Sequence, residues 1–596
     1  MTTYGDTPSG SPNGGAGVSP SSGASGGPDA KPHTNPSGDP GADASTGPSG
    51  GHVLVAALAA HGVDTVFGIP GTHNLEIYAA LAARGVRHVG TRHEQGAGYA
   101  ADGYARVTGR VGVAVVTSGP ATLNAAAAIG QAYSDSVPVL LVSPGMPLRH
   151  PGRGNGLLHE TRDQSRAMDA VAAYSHRVTS VAEIPVAVAQ AFATMTSGRP
   201  RPVHLEIPFD VLEEREPATE AAPVACGACS AAPAVVSAGP AILSPAPAKL
   251  FPAPAELDAA AARLGVARMP LIIAGGGARG AGVELRALAE RLGAPVVTSA
   301  NGKGALPDDH PLGLGAGLHF EAVRELAGEA DAVLVVGCEL APSDLWHGPL
   351  PLDGKVIRVD VDPVQLVTNA LPVVALAGDS AVALRGLLDR FGDAPPSSAE
   401  PYARAASWRE RKRGQAAHEG APWLWIVESL AEALGRDGVL AGDSTMACYY
   451  GALANLPAYA PGRFLYPTGY GTLGYGLPAA IGAAVGRPGR PVAALLGDGG
   501  VMFTVAELAT AVHLGLALPV VVVDNGGYGE IRAEMAARRD PVHAVELPSP
   551  DFALLARSLG AHGVRADDRA TLREALAGAL TGDRPTVIHV REKGRP

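Results

Sequence analysis

Residues 495–531 read LLGDGGVMFTVAELATAVHLGLALPVVVVDNGGYGEI. The run holds an apolar strand, a glycine turn, a helix and a second, Val-rich strand that ends in Asp524-Asn525. Strand, helix, strand is the unit of a parallel α/β sheet. It places Asp498 and Asn525 at the carboxyl ends of two strands, where open α/β sheets bind ligands. A hard cation such as Mg²⁺ takes oxygen ligands and keeps phosphate oxygens in its shell. One carboxylate, one amide oxygen and a glycine turn facing a helix N-terminus make a metal–diphosphate clamp. A lone Gly-Asp-Gly is a common turn. Its setting and the second polar pair are what give it meaning.

Working outward, the same alternation of helix and short Val-rich strand recurs. It predicts three doubly wound α/β domains. Residues 51–212 contain TVFGIPG, VGVAVVTSGPA, PVLLVSPG and PVHLEIPFD; residues 253–390 contain PLIIAGGGARG, ADAVLVVGCEL and KVIRVDVDP; residues 415–596 carry the opening run and close on PTVIHVRE. Residues 1–50 are rich in Gly, Ser, Pro and Asp and nearly free of large apolar residues. Such a segment buries too little surface to offset its ordering entropy, so a disordered leader is expected. Residues 213–252 read as an Ala/Pro-rich linker, and its Cys226 and Cys229, with no second pair, as incidental rather than a half zinc site or redox pair. Gly275-Gly276-Gly277 reads as a structural turn; it lacks the full dinucleotide spacing that would make it a phosphate cradle.

The length of 596 residues predicts about three or four domains. With 46% hydrophobic and 17% charged residues, the chain has the composition of a globular enzyme. A net charge of −11 without a basic cluster argues against nucleic acid. Four cysteines argue for a reducing compartment and against a disulfide framework. No apolar run reaches transmembrane length and no secretory signal opens the chain. A cytoplasmic protein with no membrane contact is therefore expected.

Several strings follow one another in a recognisable order: GIPGTHNLEIY, RHEQGAGYAADGYAR, SGPATLNAAAAIGQAYSDSVPVLLVS, RVDVDP, GYGTLGYGLPAAIGA and GDG…DN. Over residues 51–596 the chain resembles the thiamine-diphosphate-dependent acetolactate synthase-like superfamily. The resemblance implies a pyrimidine-binding domain, a central Rossmann-like domain and a diphosphate-binding domain. It implies Mg²⁺ and thiamine diphosphate as cofactors, held between the first domain of one subunit and the third of its partner. A homodimer or homotetramer follows.

Residue by residue, the resemblance implies that Asp498, the Asn525 side chain and the Gly527 carbonyl coordinate Mg²⁺. Gly499, Gly500, Ser444 and Thr445 then contact the diphosphate. Leu473 becomes the apolar wedge that holds the cofactor bent, where otherwise it would be ordinary core packing, and the Gly471 carbonyl accepts from the aminopyrimidine. Glu94, alone, reads as a helix N-terminal charge; in its string it resembles the glutamate that activates the aminopyrimidine, helped by desolvation at a domain interface. His93 is its orienting neighbour. His73 is a candidate proton donor to the carbon that has lost CO₂, the other reading being a loop histidine with a satisfied hydrogen bond. Two departures stand out. Asp524 replaces the usual first Asn of the signature, which puts the support of the metal loop in doubt. Ala121 stands where Gly is common, in a substrate-facing turn.

Three longer strings, GNGLLHETRDQ, DLWHGPLPLDGKVIRVDVDP and LYPTGYGTLGYGLPAAIGA, look like the 5-guanidino-2-oxopentanoate (2-ketoarginine) decarboxylases within that superfamily. That subgroup implies a lyase releasing CO₂ and 4-guanidinobutanal from the 2-oxo acid. A guanidinium tail requires a carboxylate partner. Glu530 comes first, then Glu160 and Asp163, each also readable as a surface or helix-start charge; Asp135 belongs to a superfamily-wide string. The alternatives are an acetolactate synthase-like carboligase acting on pyruvate and, in another class, a non-catalytic regulatory paralogue. The carboligase branch often keeps a structural FAD, which the decarboxylase reading leaves open without favouring.

Overall fold

A computed structural model describes residues 46–217, 250–392 and 399–592. Most of the leader, and most of the linker with Cys226 and Cys229, lie outside the described residues. The leader's last residues do not follow the expectation of disorder: Thr46–Ser49 pair antiparallel with Arg215–Pro217, and Gly50 opens a helix running to Ala60. Ser49 caps that helix, and Gly50 fits only because it has no side chain, since a Cβ there would lie 2.1 Å from the Val211 carbonyl oxygen.

Three six-stranded sheets follow in chain order, each parallel throughout. The first runs, in space, Arg87–Gly90, Thr65–Gly68, Gly112–Val115, Val139–Gly145, Val203–Pro208, Ser175–Arg177. The third runs Phe464–Leu465, Val439–Gly442, Val492–Gly497, Pro519–Asp524, Thr586–Arg591, His562–Arg565. With each sheet's strands numbered in chain order, both read 2-1-3-4-6-5. The central sheet reads 3-2-1-4-5-6, the Rossmann order. Covered on both faces, the inner strands are buried along their whole length, as at Val139–Gly145 and Pro519–Asp524. Among the described residues no helix is long and apolar enough to cross a membrane. In the central sheet packing demands the first glycine of the triple-glycine turn, since a Cβ on Gly275 would lie 2.2 Å from the Gly337 carbonyl oxygen, while Gly276 and Gly277 line a cavity of about 300 Å³.

In the first and third sheets the strand order reverses between strands one and three, which opens a crevice at their carboxyl ends. In the first sheet these ends lead into the segments bearing His73 and Ser118. In the third they lead into Asp443–Thr445 and Asp498–Gly500. The two domains meet through the helices Glu94–Thr108 and Gly476–Gly486. A Cβ on Gly482 would lie 1.9 Å from the Ala100 carbonyl oxygen, and one on Gly103 would lie 2.2 Å from that of Ala479. The glycines in both helical strings thus set the close crossing that holds Glu94's helix in place.

A buried ionic network crosses all three domains. Arg106 donates to Asp102 (2.6 Å) and Asp135 (2.8 Å) and to Asn301 of the central domain (3.0 Å). Asp135 also accepts from the backbone N–H of Thr468 (3.1 Å) and Gly469 (2.9 Å), and the Tyr475 hydroxyl donates to Asp102 (2.6 Å). Asp135 therefore has an architectural task. Removing one partner of such a network strands buried charge, at a cost of about 3–5 kcal/mol. Arg106→Met is expected to lower the melting temperature by several degrees in calorimetry. An unchanged transition would show that the network adds nothing to stability.

Candidate active site

Two neighbouring strands of the third sheet, Val492–Gly497 and Pro519–Asp524, deliver the clamp residues. Asp498 begins the short helix Asp498–Val501 at the end of strand three. Its Oδ2 accepts from the Gly527 N–H (2.7 Å) and the Ser549 hydroxyl (3.2 Å). Burial, then the nearby Asp524 charge, push its carboxyl above the usual range. Asn525 Oδ1 is buried and has no hydrogen-bond partner among the described residues. Gly527 has φ +129°, and a Cβ there would lie 2.2 Å from the Val545 carbonyl oxygen, so the turn admits only glycine.

Asp524 supports this turn despite departing from the expected Asn. Its Oδ1 accepts from the Gly526 N–H (3.1 Å) and Ser549 (2.7 Å), and its Oδ2 faces His589 Nε2 on the next strand (2.9 Å). Burial works against the charge, yet bonds from His589, Ser549 and Gly526 hold the carboxyl down at about 2.

Beside this turn, Asp443 organises the loop bearing Ser444 and Thr445. It accepts from the Ser444 N–H (2.8 Å) and, through both oxygens, from the Gly474 N–H (3.1 and 2.9 Å). Burial raises its carboxyl to about 6 against those backbone donors. The same contacts position the loop with Gly471 and Leu473, whose other end hangs from Asp135. Gly471 is exposed with φ +65°, and Leu473 is half-buried rather than in the core.

Glu94 is half-buried at the first turn of its helix, and its Oε2 accepts from Asn124 Nδ2 (3.0 Å). His93 caps the helix by accepting from the Gln95 N–H (3.1 Å). The turn before Glu94 is held from the third domain: Glu507 Oε1 accepts from the N–H groups of Arg92 (3.0 Å) and His93 (2.9 Å).

At the crevice of the first sheet, His73 Nδ1 contacts the Ser118 hydroxyl (2.6 Å), and its ring stacks on Phe209 (4.7 Å between centroids). Burial, then the facing His159, pull the His73 imidazole below its usual range. Glu160 and Asp163 are engaged within their own segment. Glu160 Oε2 accepts from the N–H groups of Asn155 and Gly156 (3.0 Å each), and its Oε1 faces His150 (3.2 Å). Asp163 caps the helix Gln164–Asp169. Gln164 ties the Gly119 turn to the sheet, accepting from its N–H (2.7 Å) and donating to Ser143 (3.0 Å).

Glu530 stands in an aromatic setting. Its two oxygens accept from the hydroxyls of Tyr449 and Tyr450 (2.9 Å each), which belong to the wide helical turn Ala447–Ala452 after Thr445. Trp346 packs edge-on against Tyr450 (5.5 Å) and stacks on His319 (3.7 Å). A carboxylate has about four acceptor positions, so two tyrosines leave room for a further donor. Such a carboxylate against aromatic faces suits a planar guanidinium.

Asp443, Glu507 and His159 were not singled out from sequence. His159 lies within LLHETRDQ, a string read for its carboxylates. Glu507 stands nine residues after Asp498 in the opening run, but nothing local announces a partner more than 400 residues away.

Comparison with known proteins bears on most of the chain. Residues 48–167, 257–387 and 442–590 match the thiamine pyrophosphate enzyme N-terminal TPP binding, central and C-terminal TPP binding domains. The chain is 45% identical over 543 residues to the probable 2-ketoarginine decarboxylase of Pseudomonas aeruginosa, spanning 91% of this chain and 93% of that protein. It is 34% identical over 559 residues to the acetolactate synthase large subunit of Parasynechococcus marenigrum, spanning 90% and 87%. It is 32% identical over 551 residues to the acetolactate synthase isozyme 2 large subunit of Escherichia coli, spanning 90% and 94%.

Proposed function

This chain belongs to the thiamine pyrophosphate enzyme family, and from that premise we propose that it decarboxylates 5-guanidino-2-oxopentanoate to 4-guanidinobutanal and CO₂. Thiamine diphosphate is its cofactor and Mg²⁺ the proposed metal. When bound, the cofactor supplies an electron sink for the pair released as CO₂ leaves. Among the described residues no three His, Cys, Asp or Glu side chains form a metal cluster. The proposed set instead joins one carboxylate, one amide oxygen and one backbone carbonyl: Asp498, Asn525 and Gly527. The unpartnered, buried Asn525 Oδ1 fits a metal ligand, and the Gly499–Gly500 turn fits an anion.

In this reading Ser444, Thr445, Gly499 and Gly500 hold the diphosphate, while the Gly471 carbonyl and Leu473 orient the rest of the cofactor. Glu94 shares a proton with the aminopyrimidine, and His73 gives a proton to the carbon that loses CO₂. Glu530 holds the guanidinium tail. Glu160 and Asp163, engaged locally, are the weaker candidates.

The observation that carries the substrate assignment is Glu530 between Tyr449 and Tyr450, backed by Trp346. Loss of a charge-assisted bond is worth about 1.5–3 kcal/mol, or about ten- to hundredfold in rate. Glu530→Gln is expected to lower kcat/KM by that factor for the guanidino acid and much less for an uncharged 2-oxo acid of similar length. Equal losses would remove Glu530 from the tail pocket. Acetolactate formed from pyruvate as the main product would favour the carboligase instead.

The proposal includes a homodimer or homotetramer with sites shared between subunits. Met502 and Phe503, just after the clamp, are 46% and 51% exposed, and Leu123, beside the Asn124 that holds Glu94, is 44% exposed. Large apolar side chains left open beside both half-sites are what an interface would cover. Sedimentation is expected to give a dimer or tetramer at assay concentrations; a fully active monomer would end the shared-site reading.

A further inference from the structure

One hydroxyl faces two imidazoles. Ser118 is fully buried, and its Oγ lies 2.6 Å from His73 Nδ1 and 3.4 Å from His159 Nδ1. The two rings meet edge to face, 5.3 Å between centroids. A hydroxyl has one proton, so it can donate to one Nδ1 only while it accepts from the other. The protonation of the two rings is therefore linked. Neither Nε2 has a hydrogen-bond partner among the described residues, so each ring keeps an outer nitrogen for exchange.

His159 is held where a non-glycine residue is costly. Its φ is +64°, a left-handed conformation. The Gly119 turn packs against its carbonyl so closely that a Cβ on Gly119 would lie 2.3 Å from that oxygen. Strain of this kind persists where the surroundings over-determine it, and such positions gather at functional sites. His159 also lines a cleft of about 610 Å³ whose rim residues Gly152, Gly154 and Arg162 are exposed. It thus stands between solvent and the buried serine.

We infer that His159, acting through Ser118, resupplies the proton that His73 gives to the carbon from which CO₂ departs. This rests on the decarboxylase reading. When the bond to the carboxylate breaks, its electron pair stays with the carbonyl carbon, and one proton must join that carbon before the aldehyde leaves. His73 gives its Nε2 proton. Ser118 passes its hydroxyl proton to His73 Nδ1, the Nδ1 proton of His159 refills Ser118, and water refills His159 at Nε2. Once the aldehyde has left, the path runs backward through water and restores both tautomers. The net transfer is one proton from solvent to carbon. His159 is a relay partner; the donor that meets substrate is His73.

The test uses His159→Gln and Ser118→Ala in the full-length protein with thiamine diphosphate and Mg²⁺. Aldehyde release and reduction of dichlorophenolindophenol are followed in parallel, because the dye takes electrons from the same carbon before it is protonated. The expected result is a loss of about ten- to hundredfold in kcat for aldehyde, below the 10²–10⁴-fold range of a direct proton donor. Dye reduction and KM should stay within about threefold. Added imidazole should restore part of the aldehyde rate to His159→Ala.

A readout independent of turnover comes from the cofactor-free protein. Phe209, Ser118 and His159 pack on His73, and among these His159 alone titrates. Histidine ring spectra should show the His73 titration move up when His159 becomes Gln. Equal loss of aldehyde release and dye reduction overturns the relay, as does wild-type aldehyde release in both variants. A wild-type protein that releases no CO₂ from any 2-oxo acid overturns the function and the relay together. Active wild type with unaffected variants overturns the relay alone.

Discussion

Glu94→Gln is expected to lower kcat by about 10²–10⁴-fold, the range that proton transfer by a positioned side chain commands. Glutamine keeps the length of the side chain and an oxygen able to accept from Asn124, now 3.0 Å from Glu94 Oε2. It cannot take or share a proton. The turn before it stays pinned by Glu507 through the N–H groups of Arg92 and His93. The variant should therefore fold normally and bind thiamine diphosphate and Mg²⁺ nearly as well as wild type in calorimetric titration. Only the chemical step should fail. A variant that keeps most of its rate would remove Glu94 from the role of activator. One that loses cofactor affinity in parallel would make it a binding residue.

Asp498→Ala should fail at the opposite stage. Removing an outer partner of a metal ligand already costs about 10–100-fold in affinity, so loss of a ligand itself should exceed that. A second penalty follows from the geometry. The Gly527 N–H donates to Asp498 Oδ2 at 2.7 Å and would be left without its acceptor, at about 1–3 kcal/mol. The turn that presents Asn525 and Gly527 would loosen as the carboxylate disappears. Titration with Mg²⁺ at fixed thiamine diphosphate should give an apparent Kd raised more than about hundredfold, with residual kcat partly recovered at saturating metal. Unchanged metal affinity would show that the ion, if it binds, sits elsewhere. The two substitutions thus separate activation from binding, one at a helix start in each of two domains.

Much of this architecture is legible along the chain, and what is not has identifiable causes. Short Val-rich runs closed by Gly or Pro turns mark buried parallel strands, because a strand covered on both faces has no polar side to show. The clamp lies within 37 consecutive residues, so strand ends and turn chemistry reveal it directly. Glu507 could not be paired that way; only folding brings it under His93. Along the chain the LLHETRDQ string offers its carboxylates, because a guanidinium tail calls for one. In the fold those carboxylates close their own loop and cap a helix, and the imidazole just before them faces Ser118. Thr46–Ser49 looks like leader by composition, since its order depends on a partner strand at Arg215–Pro217. The Asp524 departure reads as a weakness along the chain because its support, His589, comes from a different strand.

The first and third sheets share one strand order, with Ser118 and Asp498 each following the third strand of its own sheet. A single blueprint is therefore used twice in one polypeptide, in the proposed reading once to handle protons and once to handle a charged anchor. In that reading the second copy both grips the helper molecule and, through Glu530, meets the substrate's tail, so a new substrate would call for changes around Glu530 while the first copy keeps its proton work. The repeat makes the chain modular in its chemistry, even though a shared ionic knot welds its parts into one mechanical piece.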